Sequence, residues 1–395
     1  MEHKSLCFKT DMIQDGFSYL ALLIFLASSI VYIQHKSKSR LFEYLPAIVI
    51  LYFGVMVLST LGVWQKTPQI TATYKAFKTH LLPAMIFLML LMGDIRDISK
   101  LGFKMILTFF LASFSIALGF IGSFMIFKNH FDPSVAKAFG ALCGSWMGGT
   151  GNMVALQGAL GIKDSDMGYV LLIDSIDYSI WVMILLSLVP FASAFNRWSK
   201  ADSSIIDEVG AKLSQKQSQE PLSFESLFLL LGISLVISLL SDTLSLYMPT
   251  TAYLTHTTWV VIFATIAGIA GALSPLAKLS GSQTLGSMML YLIVALIASR
   301  ANFAELTQAP LYIVAGFVII VIHALLMIIF ARIFKLDLFS IGVASLANIG
   351  GVASAPILAS AYSKALIPIG VLMAMIGYII GTFGGLIVAR ILEMV

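Results

Sequence analysis

Twelve apolar runs, separated by short polar stretches, fill almost the whole chain: 17–34, 44–64, 78–92, 103–127, 134–160, 167–195, 223–246, 256–273, 282–299, 310–334, 338–362 and 366–390. The hydrocarbon core of a bilayer is crossed by roughly 20 residues of helix. The runs are continuous instead of alternating, which excludes a transmembrane β-barrel. Composition agrees: of 395 residues 59% are apolar and 11% charged, whereas an average soluble domain is about a quarter charged. Folded in water, such a chain would cover itself with hydrocarbon, so a soluble enzyme, a nucleic-acid binder and a disordered scaffold are excluded. The expectation is an all-α integral membrane protein of about 10–12 transmembrane segments, multi-pass in a cell membrane, foremost a bacterial inner membrane. The net charge of +4 is modest, with no basic tract dense enough for nucleic acid.

Two cysteines, Cys7 and Cys143, form no disulfide framework. The tail before the first run sets Glu2, Asp11 and Asp15 against Lys4 and Lys9. It lacks the positive start of a secretory signal, and the first run is expected to stay as a span. The longest polar stretch, 196–222, is expected to be an exposed linker between a first membrane repeat, 1–195, and a second, 223–395.

Two runs are interrupted. Gly144-Ser145-Trp146-Met147-Gly148-Gly149-Thr150-Gly151-Asn152 breaks the fifth, and Ser345-Leu346-Ala347-Asn348-Ile349-Gly350-Gly351-Val352-Ala353-Ser354-Ala355-Pro356 breaks the eleventh. Each glycine weakens a helix by about 1 kcal/mol, and Pro356 removes a donor. At one constant offset Gly140 falls on Gly342, Gly148 on Gly350, Gly149 on Gly351, Ala159 on Ala361 and Gly168 on Gly370. The chain therefore reads as two repeated halves, each with a broken or re-entrant fifth element. Six full spans per half would make the halves parallel; a re-entrant hairpin would leave five crossings and invert one half. Loop lysines and arginines do not decide between these. Inversion is the more economical basis for alternating access. Repeated halves with interrupted helices at matching places point to the binding site of a secondary transporter, because backbone leaves helical geometry at membrane depth only where protein or a cavity satisfies it.

At these two motifs the sequence resembles the YjcL-like domain-of-unknown-function family, grouped with the bile acid, arsenite and riboflavin transporter superfamily. The resemblance runs over nearly the whole chain in length, segment number and central linker. More distantly the architecture is similar to sodium-coupled glutamate and citrate symporters, whose halves each carry a double-glycine pore loop. Gly148-Gly149-Thr150-Gly151 meets their Gly-Gly-x-Gly pattern; in the second half Gly351 is followed by Val352 and Ala353, which does not. The resemblance implies a dimeric elevator-type transporter, with a scaffold and a mobile core that holds both broken elements.

The residues flanking the breaks are the candidate solute contacts: Ser145, Gly148, Gly149, Thr150, Gly151, Asn152 and Gln157 in the first half, and Asn348, Gly350, Gly351 and Ser354 in the second. The plain alternative is that Asn152 and Ser354 only cap the half-helix that follows. Asp174 and Asp177 lie three apart in the run after the first break and share a helix face. A carboxylate at mid-bilayer costs roughly 2.5–3.5 kcal/mol, so a cation, a proton or a buried donor must compensate. Asp174, Asp177 and Ser345 are the candidate ligands of a coupling ion; the alternative for Asp174 is hydration near the segment's edge. The matching positions of the second half are Ile376 and Ile379, which makes that site one-sided. His323, in an apolar run, is expected to be a satisfied interhelical histidine. Arg332 and Lys335 are expected to snorkel, and Arg300 and Glu305 to be solvated. Gly377, Gly381 and Gly385 have the spacing of close helix packing.

The function expected first is secondary active transport of a small anionic or zwitterionic organic solute, such as an amino acid, short peptide or carboxylate, coupled to sodium or protons. A cation/proton antiporter using Asp174 and Asp177 stands second. No H-E-x-x-H, G-x-S-x-G or Walker loop occurs, and Gly93-Asp94 lacks the preceding glycine of an intramembrane protease motif. No enzyme activity and no cofactor beyond the coupling ion are expected.

Overall fold

The computed structural model describes residues 13–37, 47–91, 95–201, 221–251, 255–301, 309–363 and 366–395. Cys7, Gly93-Asp94, Glu305 and most of the expected linker lie outside the described residues. No strand occurs among the described residues; a single bridge joins Ile13 to Trp64.

The first half supplies α1 (Gly16–Lys36), α2 (Ala47–Thr60), α3 (Pro68–Leu90), α4 (Gly102–Phe127), α5 (Val135–Gly148), α6 (Thr150–Leu160), α7 (Met167–Leu188) and the short α8 (Ala192–Ser199). The second supplies α9 (Phe224–Ser245), α10 (His256–Ala272), α11 (Ser282–Ala298), α12 (Ala309–Phe334), α13 (Leu338–Ile349), α14 (Gly351–Tyr362) and α15 (Ile367–Met394). Local chemistry sets many starts. Asp15 accepts from the Ser18 amide at 2.8 Å, and Asp337 does the same for Ser340 at 2.8 Å. Thr67 caps α3 with Pro68 at its first turn, and Thr255 and Thr258 form a capping box on α10. The third element starts ten residues before the expected 78, because the Thr67-Pro68 start outweighs its polar first turns. The sixth run divides at Pro190, where α7 gives way to α8.

Among the described residues six stretches are long and apolar enough to cross a membrane: Gly16–Lys36, Ile98–His130, Met167–Ser199, Phe224–Ser245, Pro310–Phe334 and Ile367–Met394. The burial pattern is inside-out relative to a soluble protein. On α9 the buried face is Leu230, Ser234, Ser238, Ser241 and Ser245, while Phe228, Leu235, Val236, Leu239 and Leu240 point outward. That arrangement is stable only where the outer medium is apolar and small polar residues mediate helix contacts. The protein is a multi-pass membrane protein.

The helices pack in two groups. α1, α2, α3, α9, α10 and α11 form the first, centred on α3. Ser299, just after α11, ties it together: it meets the Tyr19 hydroxyl, and its carbonyl accepts from Ser59 at 2.8 Å and from the Trp64 indole at 3.1 Å. α4, α5, α6, α7, α12, α13, α14 and α15 form the second. Here α5 and α15 meet along a glycine seam, with Gly140 against Gly385, Gly144 against Gly381 and Gly148 against Gly377. The numbers rise on one helix as they fall on the other, so the helices are antiparallel. Gly377, Gly381 and Gly385 thus have the close-packing role expected of them.

Candidate functional site

Both interrupted runs are helical hairpins. The first break is at Gly149, with φ 89° and ψ 171°, a conformation essentially reserved for glycine. α6 then starts without a side-chain cap and ends at left-handed Gly161. A side-chain methyl of Leu156 packs onto Gly144. In one continuous helix those residues would stand ~18 Å apart, so the chain doubles back. The second element behaves alike. α13 ends at Ile349 and α14 starts at Gly351, whose φ is 59°. The Leu358 side chain comes within 3.2 Å of where a Cβ on Gly342 would stand; along a straight helix the separation would be ~24 Å. Each tip leaves orphan amides at the start of one arm and orphan carbonyls at the end of the other, with the corresponding partial charges.

The tips dock reciprocally, each on the helix that follows the other hairpin. At the first, Gly148 abuts the Gly377 carbonyl, and Tyr378 of α15 stands 3.6 Å from the Cβ position of Gly149. At the second, Gly350 faces Tyr178 of α7. Gly151 touches the Met89 sulfur of α3, which places the first tip at the boundary between the two helix groups. Thr150 is partly buried beside it, and Gly351 has open space at its Cβ position.

The side chains around the breaks take distinct roles. Asn152 does not cap α6: its amide donates to the Gly377 carbonyl at 3.3 Å, and its Oδ1 accepts from Thr382 at 2.9 Å. Ser354 is no cap either, since it donates back across the break to the Leu346 carbonyl at 3.4 Å. Capping fails for a geometric reason, because glycines occupy both N-cap positions and the polar side chains lie a turn further in. Asn348 holds α13 to α4: it accepts from Ser113 at 2.7 Å and donates to the carbonyls of Ala344 at 2.9 Å and Phe109 at 3.4 Å.

The two aspartates meet different walls. Asp174 Oδ1 accepts from Ser145 at 3.2 Å and from the Trp146 indole at 3.0 Å, both on α5. Asp177 is fully buried against Gly316 of α12, and neither of its oxygens has a hydrogen-bond partner. Ser345 belongs to a separate network. Its hydroxyl is 2.8 Å from the Trp181 indole and 2.8 Å from His323 Nε2, and His323 Nδ1 is 2.7 Å from Ser115. His323 is therefore the satisfied interhelical histidine expected from its apolar run, and Ser345 is one of its partners. No group of three or more His, Cys, Asp or Glu with metal-binding geometry occurs among the described residues.

Gln157 lies away from the tips, at the base of the first hairpin. There Asp164 accepts from Gln157 Nε2 at 2.7 Å, from Lys78 at 2.9 Å and from the Tyr74 hydroxyl at 2.7 Å. Arg300, expected in solvent, instead lies over the Tyr74 ring at 5.0 Å and reaches Thr71 at 3.4 Å. The sequence signalled neither Asp164 nor Tyr74. An aspartate in the polar loop Lys163-Asp164-Ser165-Asp166 looks solvated, and two of its three partners come from a helix far earlier in the chain. The better signal was the run Tyr74-x-x-x-Lys78, which puts a phenol and an ammonium one turn apart on the same helix face.

Residues 21–395 match a family described as "Protein of unknown function (DUF819)". A relative is the "Uncharacterized membrane protein YjcL" of Bacillus subtilis (strain 168), 25% identical over 362 residues that make up 85% of this chain and 87% of the relative.

Proposed function

The chain belongs to that family of membrane proteins of unknown function, and from this premise we propose that it is a secondary active transporter working by an elevator-type, alternating-access mechanism in the cell membrane. The observation that carries the proposal is the pair of glycine-broken hairpins, each docked on the helix that follows the other. Irregular backbone at membrane depth is tolerated where it is buried in protein or lines a water-filled cavity, and interrupted helices at matching places of two halves are the mark of a transporter's binding site.

Three further features support the reading. With hairpins as the fifth elements and α2, α3, α10 and α11 crossing beside the six long spans, each half would make five crossings, an odd number that inverts one half relative to the other. Matching helices of the two halves run antiparallel where they touch. Ser115 pairs with His323 and Ser123 with the Ala315 carbonyl across α4 and α12, as a pseudo-twofold axis in the membrane plane requires. The two helix groups also divide as scaffold and carrier would: the first three elements of each half in one, the hairpins and their flanking helices in the other.

The solute is a small anionic or zwitterionic organic molecule, and sodium or protons drive it. Asp174 and Asp177 are the candidates for the ion, with Asp174 already supplied with donors and Asp177 with none. The bare Asp177 carboxylate also favours a second reading, cation/proton exchange without an organic solute.

Purified protein in sealed liposomes separates these readings. A sodium or pH gradient is imposed, and uptake of labelled amino acids and carboxylates is followed beside internal pH. Solute accumulation at least tenfold above protein-free vesicles supports the symporter, and proton movement against sodium without solute supports the antiporter. Leakage of solute and ions down their gradients with no coupling between them would sink both.

A further inference from the structure

A cavity of about 340 Å³ lies between α3, α6 and α10, at the base of the first hairpin. Lys78, Gln157, Asp164, Asp242 and His256 line it, and Lys163 stands exposed at its rim. Gln157 is 1% exposed, and its Oε1 has no hydrogen-bond partner although its Nε2 is held by Asp164. A buried acceptor left without a donor costs stability, so a group that donates to Gln157 from within the cavity would be stabilising.

Lys78 supplies the complementary half. Its ammonium carries three N–H bonds. One goes to Asp164 at 2.9 Å and one to the Tyr74 hydroxyl at 2.9 Å, which leaves one. Lys78 and Gln157 Nε2 bind the same Asp164 oxygen. Lys78 and Gln157 thus both line the cavity and meet at one Asp164 oxygen, each with hydrogen-bonding capacity unused. The lysines and aspartates that line the cavity are two of each sign; Lys78 pairs with Asp164 at 2.9 Å, and the His256 ring lies 3.2 Å from Asp242. Lys163, at the rim, is the second of the positive charges.

We propose that this cavity binds a small zwitterion whose ammonium and carboxylate sit in one head group, as in an α-amino acid. The ammonium donates to Gln157 Oε1, and the carboxylate accepts the third Lys78 proton. A simple anion would present its oxygens to the Gln157 acceptor, and a simple cation would face the Lys78 ammonium. α6 belongs to the hairpin group and α3 and α10 to the other, so the occupant sits at the boundary the carrier reading requires to move. Its role as transported solute rests on that reading; its binding does not.

The test is binding by purified full-length protein in detergent, read by calorimetry and thermal shift without any gradient. The probes are L-alanine, L-leucine, L-glutamate and L-lysine, with acetate and ethylammonium as half-molecules. At least one amino acid binds the wild-type protein, and each half-molecule binds at least tenfold more weakly. Gln157→Leu and Lys78→Met each weaken amino-acid binding tenfold or more, and either variant serves if the other fails to fold. The proposal is overturned if no amino acid binds, if a half-molecule binds as tightly, or if a folded variant keeps wild-type affinity. A binding failure beside intact coupled flux in liposomes removes this cavity and leaves the carrier.

Discussion

Asp177→Asn is expected to abolish ion-coupled flux in liposomes while the protein stays folded. Asp177 is fully buried in α7 with no partner at either oxygen, and Gly316 of α12 leaves it no room for an ordered shell on that side. Holding a carboxylate inside a bilayer costs roughly 2.5–3.5 kcal/mol. On the carrier reading, a residue held at that cost exchanges a proton or balances a cation. Asparagine has nearly the same shape, so packing survives, but it neither takes up a proton near neutral pH nor offers a full negative charge. Flux is expected to fall ~100-fold, the factor to which that energy corresponds, with a Tm equal to or above that of wild type because the buried charge is gone. Asp174→Asn is expected to do less, because its Ser145 and Trp146 donors can still meet an amide oxygen. Wild-type coupling in Asp177→Asn would take Asp177 out of the mechanism.

Gly381→Leu is expected to prevent stable folding. A Cβ at Gly381 would stand 2.8 Å from the Gly144 carbonyl and 3.0 Å from the Gly148 Cα, and would strike the Asn152 amide. Two of these neighbours are backbone, which cannot rotate aside. α15 would have to withdraw from α5 along the seam, and the Asn152 contacts to Gly377 and Thr382 would break with it. Overpacking typically costs ~1–3 kcal/mol and sometimes more; a branched side chain set between two helix backbones belongs at or above the upper end. The readout is the monodisperse fraction and Tm in detergent. Gly54→Ala is the control: nothing lies within 4 Å of its Cβ position, and in a helix the change is neutral or stabilising by about 1 kcal/mol. Equal stability of Gly381→Leu and wild type would mean that the seam is not a close contact.

The sequence carried the helices and their breaks because both follow from local chemistry. Apolar runs gave the helices, with edges shifted where a cap such as Thr67 or a proline such as Pro190 intervened; of the 10–12 spans expected, six among the described residues have the length and hydropathy to cross a membrane. Paired glycines marked both tips to within a residue. That the broken elements fold back was not legible, since a straight kinked span and a hairpin need the same glycines. The contact of Leu156 with Gly144 decides it. The roles of the amides were not legible either. Asn152 and Ser354 sit where caps are expected, but glycine holds each cap position, and the partners of Asn152 lie on α15. Asp164 was missed altogether, because Tyr74 and Lys78 reach it only through tertiary packing.

Alternating exposure of a hairpin tip is the most direct test. Thr150→Cys, with Cys7 and Cys143 replaced by serine, is labelled by a membrane-impermeant maleimide in right-side-out and inverted vesicles. Labelling is expected from both sides, with the balance moved from one side to the other by the coupling gradient. A cysteine at this tip that stays reactive from one side alone, whatever the gradient, would contradict the carrier.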